Sequence, residues 1–146
     1  DMQVYVGIGD VVMRLQDLED SYEHAMVAYQ LTKTAIATNL LVYDELGVYK
    51  VLSDLRHEDT GEAFIREVLG ELIDYDEKES TDYLDILKAF FENECSIVHT
   101  AQAMYCHKNT MNYKMNKVKE ILGYDIMSNE NRTRIMVALY FMKMRG

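Results

Sequence analysis

The chain has 146 residues, 49% of them apolar, with ten Met, no Trp, no Pro and a formal net charge of −10. That much apolar side chain supports a real core and excludes an intrinsically disordered polymer. No stretch reaches the roughly 18 consecutive apolar residues of a membrane span, no secretory leader is visible, and two Cys make no disulfide framework, so a cytoplasmic protein with reduced thiols is expected.

In chain order, Gln3–Ile8 reads as a strand running into Gly7 and Gly9, and Asp17 to about Thr38 as a long helix. One face of that helix is traced by Leu18, Tyr22, Ala25, Met26, Tyr29, Thr32 or Lys33, and Ile36. Leu40–Tyr43 reads as a second short strand and Glu45–Leu55 as a helix with Leu46, Tyr49, Val51 and Leu52 apolar. Two strands joined by a helix predict a small α/β element with the strands side by side. Such a pair is marginal alone, and the chain starts at Asp1, so a piece of a longer protein is expected. Asp10, Asp44 and Glu45 fall near the strand ends, where α/β sites often lie; loop solvation and helix capping account for them, and no catalysis is assigned.

A helix is predicted from Thr60 to about Tyr75 with Phe64, Val68, Leu69 and Leu72 on one side. The acidic run Asp74–Asp82 reads as a solvated joint, and Thr81 or Asp82 as the cap of a helix bearing Leu84, Leu87, Phe90 and Phe91. The spacing therefore divides the chain into an α/β element at 1–56, a helical connector at 57–80 and a helical domain at 81–146. A last helix from about Asn129 to Met144 is apolar nearly all round. It wants burial on more than one side, in a core or between the two copies of a homodimer.

The central stretch is Ser96–Leu122. It reads as a short helix capped by Ser96, with Ile97, Ala101 and Met104 on one face, then a tight turn lacking Pro and Gly, then a longer helix closed by Gly123. In the longer helix Met111, Met115, Val118 and Leu122 make a narrow apolar stripe. Asn109, Asn112, Tyr113, Asn116 and Lys117 fall opposite, with Thr110 beside them and Lys108 and Lys114 at the borders. Amides pair with adenine edges and lysines with guanine or phosphate, so this face suits a major groove.

Charge placement agrees. Residues 1–106 hold 7 Lys/Arg against 22 Asp/Glu, a balance of −15, whereas 107–146 hold 8 against 3, a balance of +5. An acidic body with one basic end is the footprint of an appended nucleic-acid surface. Cys95, His99, Cys106 and His107 are the residue types of a zinc site, but adjacent Cys106 and His107 suit one tetrahedral centre poorly and neither CxxC nor HxxxH occurs. A Cys–His nucleophile lacks an orienting acid. Neither metal nor cofactor is expected, nor an enzyme.

TAQAMYCHKNTMNYKMNKVKEILGYDI resembles the C-terminal helix-turn-helix of the PucR/CdaR family of bacterial transcription regulators, whose usual pattern is TAxxLxxHRNTLxYRLxxIxxLxGxD. Thr100, Ala101, His107, Asn109, Thr110, Tyr113, Gly123 and Asp125 match it. Lys108 and Lys114 stand where the family has Arg, which keeps the charge and gives up the planar fork. The SYxxA of Ser21–Ala25 and the YDxLG of Tyr43–Gly47 resemble the GGDEF-like module that precedes that motif, of which only the end is present.

The expected protein is thus mainly α: a helix-turn-helix DNA-binding domain after a truncated strand-helix-strand element. The resemblance implies double-stranded DNA as partner, a homodimer, and a small-molecule effector bound upstream of Asp1. Asn109, Asn112, Lys108 and His107 are expected at base edges, and Thr110, Tyr113, Lys114 and Lys117 at phosphates. The alternative is an acidic, Met-rich protein-interaction and dimerisation module that does not touch DNA.

Overall fold

The computed structural model describes residues 3–34, 36, 38–55 and 60–145. It separates into two compact units, 1–62 with 140–146, and 63–139. Ala35 and Ala37, which the expected first helix included, lie outside the described residues, as does the expected boundary at 56/57.

In the first unit β1 (Val6–Ile8) pairs in parallel with β2 (Leu40–Val42), in the register Val6 to Leu40 and Ile8 to Val42. Between them runs α1 (Leu18–Thr34), entered through a 3₁₀ turn at Leu15–Asp17. Helix and strand lie so close that a Cβ on Gly7 would run into the backbone of Ala25 and Tyr29, which is why β1 carries glycine there. A second 3₁₀ turn, Tyr43–Glu45, leads through Gly47 to α2 (Val48–Leu55).

Val27, Ala28, Leu31, Tyr43, Leu46 and Tyr49 form the core of this unit, with Tyr140 edge-on to Tyr49 at 5.1 Å. The buried side of α1 is rotated from the expected stripe, and Leu18 and Tyr22 are exposed. The helix meets two surfaces, the sheet through Ala25 and Tyr29 and the tyrosine cluster through Val27 and Leu31, so its apolar positions span an arc wider than one stripe. The single expected helix over Glu45–Leu55 is divided, because Gly47 takes φ +56°; Leu46 and Leu52 are buried as expected, but Val51 is exposed. Asp10 contacts His24 Nδ1, and Asp44 accepts from Lys50 at 2.7 Å, so two of the three strand-end acids have these partners.

The second unit contains most of α3 (Thr60–Glu79), then α4 (Tyr83–Glu92), α5 (Ile97–Ala103), α6 (Lys108–Leu122) and the first part of α7 (Asn129–Arg145). Val68, Leu69, Leu72, Ile86, Leu87, Phe90, Met111, Met115, Val118, Ile126 and Ile135 are buried in it. Each such side chain contributes about 1.5–3 kcal/mol relative to exposure.

The acidic run read as a solvated joint is mostly helix, since α3 continues to Glu79 before Ser80 turns left-handed at φ +54°. Nothing in Asp74–Glu79 breaks a helix, and an acid near the end of α3 has found a use. Asp76 accepts the backbone N–H groups of Tyr83 (3.0 Å) and Leu84 (2.7 Å) and the Thr81 hydroxyl (2.6 Å). It therefore caps α4, where a carboxylate meets unpaired amides and the positive end of the helix dipole. The expected cap by Thr81 or Asp82 is replaced, for Asp82 occupies the cap position without a side-chain bond to the helix.

Candidate nucleic-acid interface

The three helices α4, α5 and α6 pack against one another. Ser96 caps α5 by accepting from the His99 N–H at 3.3 Å, and the Thr100 hydroxyl, fully buried, returns to the Ser96 carbonyl at 2.7 Å. Ala101 is buried; its small side chain lets α5 cross the others closely.

The turn that follows needs no glycine. Tyr105 adopts φ +52°, its N–H bonds to the Gln102 carbonyl (3.2 Å), and the Cys106 N–H reaches back to the Ala101 carbonyl (2.9 Å). That pair of bonds is a Schellman closure with tyrosine in the left-handed position. Tyr105 is 98% exposed, and these two hydrogen bonds hold its left-handed backbone.

His107 is the cap residue of α6 and accepts the Asn109 N–H at Nδ1, at 3.2 Å. While Nδ1 accepts this bond, the ring's N–H sits on Nε2. At the other end Gly123 closes the helix at φ +71°. Met111, Met115, Val118 and Leu122 are all buried, as the spacing predicted.

On the opposite side the site residues separate into two groups. His107, Lys108, Asn109, Thr110 and Tyr113 are exposed, and Asn112 is half-buried beside them. They occupy the first two turns of α6, and Lys108 has no ion-pair partner among the described residues. Lys114 and Lys117, further along, are already engaged. Lys114 Nζ donates to both carboxylate oxygens of Asp82, at 3.1 and 3.2 Å. Lys117 donates to Glu120 at 3.0 Å and lies 5.7 Å from the centre of the Tyr75 ring, on a shallow cleft with Glu71, Asp74 and Lys78. The hydrogen bond to Glu120 raises the Lys117 ammonium above its ordinary pKa. Partial burial raises the Tyr83 phenol, with smaller contributions from Tyr113 and Tyr75, against Lys114 and Lys117.

Two partners here lie outside the motif as read from sequence, Asp76 and Asp82. Asp82 precedes Lys114 by 32 residues, and no local spacing rule joins them. Tyr105 was also missed as a feature, although a turn with neither Pro nor Gly signalled that some side chain would take the left-handed position. Among the described residues no group of three or more His, Cys, Asp or Glu could hold a metal ion, and no helix is long and apolar enough to cross a membrane.

The model of the PucR C-terminal helix-turn-helix domain matches residues 83–141, the span from the first turn of α4 into α7. This chain carries a PucR-type helix-turn-helix domain. Similarity extends further along the chain in curated relatives. The proline-responsive transcriptional activator PutR of Bacillus subtilis (strain 168) is 27% identical over 96% of this chain and 34% of its own length. The purine catabolism regulatory protein of the same organism is 30% identical over 93% of this chain and 25% of its own length. The carbohydrate diacid regulator of Escherichia coli (strain K12) is 32% identical over 36% of this chain and 14% of its own length. The chain thus spans about a third or less of each relative. No solved structure matches it.

Proposed function

We propose that this PucR-type chain is the DNA-reading part of a transcription regulator, with the N-terminal two turns of α6 in the major groove. The observation that carries the reading is the state of that helix end. Lys108, Asn109, Thr110 and Tyr113 are exposed together, on a helix fixed by a cap at His107 and by four buried side chains. A rigid helix lowers the ordering cost of binding, and Lys and Asn are the side chains that read guanine and adenine edges. The +5 balance of residues 107–146 supports it, as do the regulator names of the relatives.

In this reading Lys108, Asn109 and Asn112 meet base edges, with the His107 Nε2–H beside them. Thr110 and Tyr113 meet phosphates. Lys114 and Lys117 reach phosphates only by exchanging Asp82 and Glu120 for them. Residues 1–56 are the end of a GGDEF-like module and 57–80 a connector to the reading domain at 81–146. Effector binding belongs to a region upstream, and part of α7 serves a homodimer contact, which a two-fold operator would require.

The test is selection from random-sequence duplex DNA at moderate salt, in parallel with a variant in which Lys108, Asn109 and Asn112 are all Ala. Enrichment of a motif by the unmodified chain and by no variant supports the reading. A folded chain that enriches nothing would overturn it in favour of a protein-interaction module.

A further inference from the structure

Lys114 is the one cation on α6 that a carboxylate from another helix boundary holds with both oxygens, at 3.1 and 3.2 Å, among the described residues. The arrangement depends on a division of labour between two acids. A residue at the cap position of a helix ordinarily turns its carboxylate onto that helix's own first amides. At α4 those amides are taken by Asp76, which reaches them from the preceding helix. Asp82, in the cap position, accepts the Ile86 N–H with its backbone carbonyl, but its side chain makes no bond to α4 and is free to face α6. Its side chain is half exposed, while that of Lys114 is about one-third exposed.

We propose that Asp82 sets the DNA affinity of this domain by competing with a phosphate for Lys114. The proposal rests on the DNA reading above. At the 3.6-residue period Lys114 lies on the flank of α6, between the buried stripe and the exposed face that carries Asn109 and Tyr113. From that flank a flexible four-carbon stem reaches Asp82 on one side or a groove wall on the other. When DNA approaches, either Lys114 stays with Asp82 and no phosphate is neutralised, or it leaves and a bare carboxylate faces the polyanion. Both outcomes weaken binding, and both act on every sequence alike, because phosphates carry no sequence information.

The experiment measures binding of a mixed-sequence duplex by the whole chain against salt, for the wild type, Asp82→Asn, Lys114→Ala and the double variant. An exposed pair of this kind is worth little, so removing the competitor is expected to tighten binding about two- to five-fold at low salt. The slope of log K against log salt should steepen by about 0.9, one further phosphate contact. In the Lys114→Ala background the steeper slope should vanish and the tightening should shrink to what relief of carboxylate–phosphate repulsion gives, and thermal melts of Asp82→Asn and Asp82→Ser should show the fold retained. Equal or weaker binding by both folded Asp82 variants would overturn the proposal while the DNA reading stands. So would a gain that persists undiminished without Lys114, since Asp82 would then act by repulsion alone. A folded wild type that binds no duplex under any salt would overturn the DNA reading, and this inference with it.

Discussion

Asp76 accepts the Leu84 N–H at 2.7 Å and the Tyr83 N–H at 3.0 Å, so an acid in the last turn of one helix caps the next. Helix ends leave amides unpaired, and a carboxylate supplied from elsewhere satisfies them as well as a local cap does. Replacing Asp76 by Ala is therefore expected to cost about 1–2 kcal/mol, measured by urea unfolding. Asp82→Ala should cost distinctly less, because the Asp82 side chain bonds no amide of α4 and its carbonyl bond to the Ile86 N–H survives the substitution. Equal losses for the two variants would refute the assignment.

The turn between α5 and α6 places Tyr105 at φ +52° with its side chain in water. A left-handed residue with a Cβ carries about 1–2 kcal/mol of strain, which glycine avoids at some cost in unfolded-state entropy. Tyr105→Gly should raise stability by about 0.5–1 kcal/mol, visible as a higher Tm. A lower Tm would mean that the ring makes a stabilising contact.

His107 should behave as a cap before it behaves as anything else. His107→Ala is expected to lose about 0.5–1.5 kcal/mol through the Asn109 N–H it leaves unpaired, and His107→Asn to recover most of that. Circular dichroism during thermal unfolding distinguishes them. Failure of Asn to rescue would place the importance of His107 in its Nε2–H.

Tyr124 donates its hydroxyl to the Val68 carbonyl at 2.8 Å, 56 residues away, and burial raises its pKa above 10 while Arg134 opposes the shift. A raised folded-state pKa means that the neutral form favours the fold. Its contribution is complete below about pH 10 and is lost as pH rises through the folded value. Tyr124→Phe should cost about 0.5–1.5 kcal/mol at neutral pH. The gap between the two proteins should close above pH 10, when the phenolate can no longer donate. A gap that stays constant after the Tyr124 phenol has titrated in the folded protein, followed by its absorbance, would show that the hydroxyl contributes nothing by donation.

Within the DNA reading, Asn109→Ala should flatten sequence preference, whereas Tyr113→Phe should weaken binding to all sequences about equally. Amides carry base information and phosphate contacts do not. Competition binding against scrambled duplexes reports both, and identical profiles for the two variants would remove the distinction in their roles.

The helix-turn-helix was legible because its signals are local. Met111, Met115, Val118 and Leu122 repeat at the period of one helix, Ser96 and Gly123 punctuate the ends, and each works within a few residues of itself. The strand pair was legible for the same reason, from a strand-helix-strand order; its parallel register and the close approach of α1 to Gly7 came from the structure. What the sequence by itself determined is therefore the set of elements and the exposed face of α6. The tertiary structure alone decided which charges on that face are free. Asp76 and Asp82 look alike in sequence, two acids in an acidic run. Only the packing of α3, α4 and α6 sends one to the amides of Tyr83 and Leu84 and the other to Lys114, 32 residues away. Ion pairs and external caps form wherever the folded backbone brings partners within about 3 Å. That proximity is a property of helix packing, which no period along the chain encodes.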